Sequence, residues 1–213
     1  RLAAEKSQRA PGTITVLAVS KTHAAQAIRA AHRCGLEHFG ESYLQEALAK
    51  MEQLADLPLT WHFIGPIQSN KTRPIAEHFA WVHSVDRGKI AQRLNDQRPP
   101  ALPPLQVCLQ VNISGENSKS GVSLDELPRL AREVAGMPRL QLRGLMAIPA
   151  PTTDAGQQRA AFASLRRALA QVQAFAPGAD TLSMGMSDDL EAAIAEGATM
   201  VRIGTDIFGS RSR

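Results

Sequence analysis

The 213-residue chain has few aromatic residues and only a small excess of positive charge. It contains six Phe, two Trp and one Tyr, and its 24 Lys and Arg residues outnumber its 20 Asp and Glu residues by four. Nucleic-acid-binding surfaces combine dense positive charge with aromatic stacking platforms. This composition favours neither, so we expect no nucleic-acid partner.

Cysteine pairs and long apolar stretches are also lacking. Cys34 and Cys108 form no CxxC motif, which predicts neither a disulfide framework nor a thiolate zinc site and favours a reducing cytoplasm. No run approaches the roughly 18 apolar residues of a membrane span, and the charged N-terminus differs from a signal peptide. We therefore expect a cytoplasmic protein with no membrane partner. Because the chain begins at Arg1 rather than Met, we also expect an initial segment to precede it.

The short motifs of common metal and nucleotide sites are missing as well. The six histidines show no HExxH or other short metal spacing, which predicts structural histidines and no metal site. Neither GxGxxG nor GxxxxGK[ST] occurs, so a Rossmann or P-loop nucleotide site is not expected.

What the chain does contain is a regular alternation of strands and helices. Eight segments rich in Val, Ile and Leu are predicted as strands, at residues 13–19, 38–39, 60–64, 81–85, 105–111, 140–146, 180–183 and 200–204. Helices are predicted between most of them, including 24–34, 42–54 and the amphipathic segment 157–176. Eight such units predict an α/β fold, a (β/α)8 TIM barrel forming a single domain over residues 1–213. The proline-rich segment 98–105 is alternatively a domain linker, but neither side of it has enough strands to close a barrel.

Functional residues of such barrels lie at the C-terminal ends of the strands and in the loops that follow. Lys21 follows the first strand, where partial burial would lower its pKa and suit it to Schiff-base chemistry, although a surface lysine remains the alternative. Gly185 allows close backbone approach, and Ser187 is predicted to cap a helix that begins at Asp188. The eighth strand leads into Gly204, and together these loops predict one phosphate site.

Arg202 is the unusual residue of the eighth strand because its neighbours are apolar. A buried arginine needs a partner. If its side chain points inward, it can donate to a ring nitrogen or a carboxylate of a ligand. The alternative is an ion pair with a nearby acidic residue, namely Asp189, Glu191 or Glu196.

Six segments together resemble the YggS/PROSC family of pyridoxal-phosphate homeostasis proteins. They are LAVSKT (17–22), FGESYLQE (39–46), HFIGPIQSNK (62–71), GLM (144–146), LSMGMS (182–187) and VRIGT with IFG (201–205 and 207–209). The resemblance covers nearly the whole chain, from Ile14 to Gly209, and six motifs in order are more specific than any one alone.

The resemblance implies a barrel like the N-terminal domain of alanine racemase, with pyridoxal 5′-phosphate (PLP) bound as an aldimine on Lys21. It implies that Arg202 faces the pyridine nitrogen and that Asn70 lies near the cofactor. The residues implied to surround the phosphate are Ser183, Gly185, Met186, Ser187, Gly204 and Thr205. The chain departs from the family pattern at Ser42, where Asn is common, at Asp206 and at Ile67.

The resemblance implies a non-catalytic protein of PLP homeostasis that stores, buffers or delivers the cofactor, with no residue assigned a catalytic role. Its expected partners are PLP and PLP-dependent apo-enzymes, and we expect a monomer. The alternative is an amino-acid racemase on the same scaffold. It is disfavoured because an arginine at the pyridine nitrogen makes the ring a poorer electron sink and because the chain ends soon after the eighth strand. A Schiff-base aldolase would share the lysine and the phosphate loops but has no need of Arg202.

Overall fold

The computed structural model describes residues 2–114 and 120–209. Within them, eight parallel strands form a barrel, each pairing with the next in the chain and the last with the first. The predicted (β/α)8 barrel is therefore confirmed. The strands are β1 (Thr15–Val19), β2 (His38–Glu41), β3 (Thr60–Phe63), β4 (Trp81–Val85), β5 (Leu105–Gln110), β6 (Leu140–Met146), β7 (Thr181–Ser183) and β8 (Met200–Ile203).

Helices cover the outside of the barrel. They are α1 (Leu2–Lys6), α2 (Ala25–Arg33), α3 (Leu44–Gln53), α4 (Thr72–His78), α5 (Gly88–Gln97), α6 (Leu127–Ala135), α7 (Ala155–Gln173), α8 (Leu190–Ala195) and α9 (Thr205–Phe208). Short 3-10 helices occupy Pro11–Thr13 and Ser69–Lys71. Across the described residues, no helix combines the length and apolar character needed to cross a membrane.

The strand bounds differ from the predicted ones by at most two residues. The first strand begins at Thr15 rather than residue 13, because Pro11–Thr13 forms a helical turn in which the Thr13 hydroxyl donates to the Ala10 carbonyl at 2.7 Å. The second strand runs on to Glu41, whose backbone is in register with Phe63 of β3. The sequence predicts an earlier end for this strand because Gly40 has a low strand propensity.

The predicted amphipathic helix is α7, and its apolar stripe is buried as expected. Phe162, Leu165, Leu169 and Val172 are all buried against the barrel. The helix begins two residues before the predicted start because the Asp154 carboxylate accepts the Gln157 N–H at 2.9 Å and caps the first turn. The apolar spacing therefore sets the buried face of α7, and the Asp154 cap sets its first residue.

The proline-rich segment is a loop between α5 and β5 of the same barrel, so the linker alternative is wrong. Its first residue, Arg98, is buried and ties the loop to its surroundings. The guanidinium donates to the Ala76 and Phe79 carbonyls at 2.7 and 2.8 Å and, through Nε, to the Pro103 carbonyl at 2.9 Å. These contacts join the loop to the end of α4 and hold the entry to β5.

Candidate functional site

Lys21 lies in a tight turn that follows β1 at the C-terminal end of the barrel. On one side, the Ser20 hydroxyl donates to Glu41 at 2.6 Å, and its carbonyl accepts from Lys50 Nζ at 2.8 Å. On the other side, Thr22 has a φ of +67°, which non-glycine residues seldom adopt, and its N–H donates to Glu46. The neighbours of Lys21 are therefore fixed by hydrogen bonds on both sides.

The three groups that hold this turn form a cluster between the sheet and α3. Lys50 Nζ donates to Glu41 at 2.7 Å and to Glu46, and the side chains of Lys50 and Glu41 are buried. Burial raises the pKa of Glu41, and the hydrogen bonds from Lys50 and Ser20 oppose that shift. Glu41, Glu46 and Lys50, which we call the Lys50 cluster, therefore position the turn that carries Lys21.

Arg202 points into the barrel from β8 and is 4% exposed. Its terminal nitrogens donate to the Ser183 carbonyl at 2.7 Å, the Ser183 hydroxyl at 3.1 Å and the Ala147 carbonyl at 3.0 Å. Its Nε atom donates to none of the described residues. Burial lowers the pKa of Arg202 to about 10, which still leaves the guanidinium charged at neutral pH.

The alternative of an ion pair for Arg202 is wrong within the described part of the chain. Glu191 pairs with Lys6, and Glu196 pairs with Arg159 and Arg166. The Asp189 carboxylate accepts the Met186 N–H at 2.6 Å and acts on Arg202 only at longer range. The guanidinium of Arg202 is thus bonded to neutral acceptors, and its positive charge remains available to a ligand in the adjoining cavity.

The loop after β7 differs from the prediction in two respects. First, α8 begins at Leu190 and follows Asp189, so Ser187 does not cap a helix that starts at Asp188. The Met186–Asp189 hydrogen bond folds these residues into a turn that delays the helix. Second, Gly185 has a φ of +94°, and a Cβ added there would lie 2.5 Å from the Ala193 Cβ. Gly185 is therefore required by packing against α8.

The loops after β7 and β8 nevertheless offer backbone N–H donors. The N–H groups of Ser187 and Asp188 make no hydrogen bond to any described residue. After β8, Gly204 precedes the short helix α9, and the first-turn N–H groups of Thr205 and Asp206 have no helical partner. Free backbone N–H groups of this kind suit an anion.

A cavity of about 270 Å³ lies at this end of the barrel. It brings together the six predicted residues Lys21, Met186, Ser187, Arg202, Gly204 and Thr205, and it is also lined by Val19, Ser42, Ile64, Ile148 and Asp188. Three larger depressions, of about 550, 560 and 380 Å³, lie elsewhere on the described part of the molecule, and none of them borders Lys21 or Arg202. The small cavity is thus where the chemically distinctive residues meet.

Three predicted site residues lie outside the cavity lining. Ser183 is buried beneath it and contacts Arg202, Gly185 packs on α8, and Asn70 is exposed in the 3-10 helix after β3. Conversely, sequence reasoning gave no role to Ile64 and Ile148, although both follow strand ends, where lining residues are expected. Ser42, noted as a departure from the family pattern, lies in the lining.

The residues fit a phosphorylated aromatic cofactor. A primary amine, a buried guanidinium with an Nε N–H that no described residue accepts, and apolar side chains for a ring border one cavity. The backbone donors of two loops lie at its edge. For comparison, the described histidines, cysteines and acidic residues include no group of three that could hold a metal ion. The cysteines form no disulfide, and burial raises the pKa of Cys108 to about 12, which leaves it an unreactive thiol.

Comparisons with known proteins show the family of this chain. The family model described as "Alanine racemase, N-terminal domain" matches residues 3–212. The pyridoxal phosphate homeostasis protein of Pseudomonas aeruginosa is 66% identical over 99% of this chain and 90% of its own length. The protein of the same name from Escherichia coli K12 is 56% identical over 98% of this chain and 91% of its own length.

A solved structure agrees as well. PipY of Synechococcus elongatus PCC7942, solved with PLP bound, has a TM-score of 0.87 and 43% identity, covering 98% of each chain. The resemblance seen in the sequence motifs is therefore confirmed. This chain belongs to the alanine racemase N-terminal domain family and, within it, to the pyridoxal phosphate homeostasis proteins.

Proposed function

We propose that this chain binds PLP in the cavity at the C-terminal end of the barrel, held covalently through Lys21. We further propose that it acts in the cytoplasm in PLP homeostasis, storing, buffering or delivering the cofactor to PLP-dependent apo-enzymes without robust turnover. The observation that carries the proposal is the meeting of Lys21 and Arg202 in one small cavity between two loops with free backbone N–H groups. The names of the close relatives and the PLP-bound PipY structure support it.

When bound, PLP supplies an aldehyde carbon that reacts with amines and a ring that withdraws electrons. Lys21 supplies the amine, in a turn already fixed by the Lys50 cluster. Ile64 and Ile148 supply apolar surface for a ring. The N–H groups of Ser187, Asp188, Thr205 and Asp206 supply donors for a phosphate. The chain's own residues thus account for attachment, stacking and anion binding.

Arg202 is the residue that disfavours robust turnover. Its guanidinium is charged, and no described carboxylate neutralises it at close range. A ring nitrogen that accepts from Arg202 would resist protonation, because two positive charges would then lie side by side. An unprotonated ring withdraws electrons less strongly, which disfavours the carbanion chemistry of racemases and decarboxylases.

The attachment is tested by adding PLP to the purified protein, reducing it with borohydride and mapping the labelled peptide by mass spectrometry. We expect the label on Lys21 and its loss in Lys21→Ala. Lys71, which ends the 3-10 helix after β3 and lies outside the cavity lining, provides the matched control Lys71→Ala. Label that stays in Lys21→Ala and disappears in Lys71→Ala would contradict the assignment.

The lack of turnover is tested on a panel of L- and D-amino acids with the PLP-loaded protein. We expect no racemase, transaminase or decarboxylase activity near ordinary enzyme rates, which are about 1–10³ per second. Lys21→Ala serves as the background. Lysine-dependent turnover in that range would favour the racemase alternative instead.

A further inference from the structure

Three histidines on neighbouring strands form a continuous hydrogen-bonded chain inside the barrel. His38 Nδ1 on β2 lies 2.9 Å from His62 Nε2 on β3, and His62 Nδ1 lies 2.9 Å from His83 Nε2 on β4. His62 and His83 are fully buried, whereas His38 is half-buried. The sequence predicts separate structural histidines. The fold brings His38, His62 and His83 together into this histidine chain.

The histidine chain ends at the candidate site. His83 Nδ1 lies 2.8 Å from the Ser183 hydroxyl, and that hydroxyl accepts from Arg202 at 3.1 Å. Five strands thus contribute side chains to one connected path. The path runs from the first residue of β2, at the N-terminal end of the barrel, to the guanidinium that borders the cavity.

Proton counting restricts this path to two arrangements. A neutral imidazole has one N–H and one acceptor nitrogen, and each link between two rings needs one of each. If all three rings are neutral, they must therefore share the same tautomer. Burial lowers the pKa of His83 to about 3 and that of His62 well below its ordinary value, which keeps both rings neutral.

Arg202 distinguishes the two arrangements. With all three rings as Nε2–H tautomers, Ser183 donates to His83, and every acceptor nitrogen points along the path toward the guanidinium. With all three as Nδ1–H tautomers, every N–H points toward the guanidinium, and the Ser183 hydroxyl proton has no place in the path. A buried cation favours dipoles that turn their negative ends toward it.

We propose that His38, His62 and His83 are positioning residues, held as Nε2–H tautomers, whose aligned dipoles stabilise the charge of Arg202 and fix the Ser183 hydroxyl. They substitute for the carboxylate that a buried arginine commonly has. The charge of Arg202 then remains available to a ligand. The meaning of that charge for PLP rests on the proposed function, whereas the tautomers are a property of the protein alone.

The charged and titratable groups around the path agree with this direction. Glu37 acts on His38 at the far end, and Asp189 and Cys108 act on Arg202 at the near end. Among them, Cys108 has a pKa raised to about 12 and is neutral. Asp189 is the negative group that acts on Arg202, and it lies beyond ion-pair distance.

The tautomers are measurable by ¹⁵N NMR of the histidine-labelled protein without PLP at neutral pH. We expect His38, His62 and His83 to show protonated Nε2 and unprotonated Nδ1. The chain offers internal controls, because Nδ1 of His32 and of His78 lies within 3.0 Å of a backbone carbonyl and must carry a proton. An Nδ1–H or doubly protonated state at His62 or His83 would overturn the proposal.

A pair of substitutions at His83 tests the link to the site. In His83→Gln, the amide oxygen can accept from Ser183 and the amide nitrogen can donate to His62, so the direction of the path is kept. In His83→Leu, the path is broken. We expect His62 to stay an Nε2–H tautomer in His83→Gln and PLP affinity to remain within about threefold, whereas His83→Leu weakens PLP binding at least tenfold, or about 1.4 kcal/mol.

Equal PLP affinities for His83→Gln and His83→Leu would overturn the link to Arg202. If His83→Leu does not fold, His38→Leu replaces it at the half-buried end, and the same comparison is made with His38→Gln. If neither the original protein nor any variant binds PLP, the proposed function fails, and the NMR result still decides the tautomers.

Discussion

Two of the buried cations, Lys50 and Arg202, are held in opposite ways. Lys50 lies between the sheet and α3 and is bonded to two carboxylates, those of Glu41 and Glu46. Arg202 lies inside the barrel and is bonded to two carbonyls and a hydroxyl, with no described carboxylate in contact. Lys50 is neutralised and holds the turn after β1, whereas Arg202 meets neutral acceptors at the edge of the cavity and so keeps its charge for a ligand.

The largest expected effect comes from removing Lys50. Among the described residues, Lys50→Met leaves the buried Glu41 carboxylate with the Ser20 hydroxyl as its one partner, and breaking a buried ion pair in this way typically costs about 3–5 kcal/mol. We expect the free energy of unfolding, measured in urea, to fall by that amount. Lys6→Met is the matched control, because the Lys6–Glu191 pair is largely exposed and its loss should change little.

The double variant Lys50→Met with Glu41→Gln sharpens this test. If an uncompensated carboxylate causes the loss, removing its charge should restore part of the stability. If the double variant is no more stable than Lys50→Met alone, the cluster acts through packing and not through charge.

The sequence predicts the barrel and the importance of Arg202, but it does not predict the Lys50 cluster. All eight strands were found, because apolar runs separated by helices report the fold directly. The position of Lys21 after the first strand and the apolar neighbours of Arg202 within the eighth strand are enough to single out these two residues. The Lys50 cluster was not found, because the contact between α3 and the turn after β1 depends on packing across layers.

The histidine chain was missed for a related reason. His62 and His83 each look like an isolated histidine, and only the barrel register turns them toward one another. A signal did exist, since three successive strands each contain a histidine. The start of α8 was misplaced because the Asp189 side chain bonds the Met186 N–H and favours a turn over the first helical residues.

Acid pH should lower the stability of the protein through the buried histidines on the path to Arg202. Burial lowers the pKa values of His62 and His83 in the folded protein. Below about pH 6.5 the unfolded chain therefore binds more protons than the folded one, and stability falls as the pH falls. We expect each of these two histidines to contribute a loss of up to about 1.4 kcal/mol per pH unit below that point.

Urea unfolding at pH 7.5, 6.5 and 5.5 measures this loss, and His83→Gln should reduce it because one titrating group is removed. Glu41 acts with the opposite sign, since its raised pKa makes the folded state bind the proton more readily. Stability that stays flat between pH 6.5 and 5.5 in both proteins would contradict the assignment of neutral buried imidazoles.

The smallest expected change in stability comes from Arg202→Met, although it has the clearest effect on binding. Removing the guanidinium relieves the cost of burying a charge but leaves the Ser183 and Ala147 carbonyls without that donor. Because these contributions oppose each other, we expect the free energy of unfolding to change by only about 1 kcal/mol. PLP affinity should fall more than tenfold, because the cavity loses its buried positive charge.

Lys50→Met should show the reverse pattern, a large loss of stability with a smaller loss of affinity in the molecules that remain folded. Equilibrium PLP titration together with urea unfolding of both variants measures the contrast. If Arg202→Met loses as much stability as Lys50→Met and keeps its affinity, Arg202 is a structural cation as well, and the distinction between the two sites does not hold.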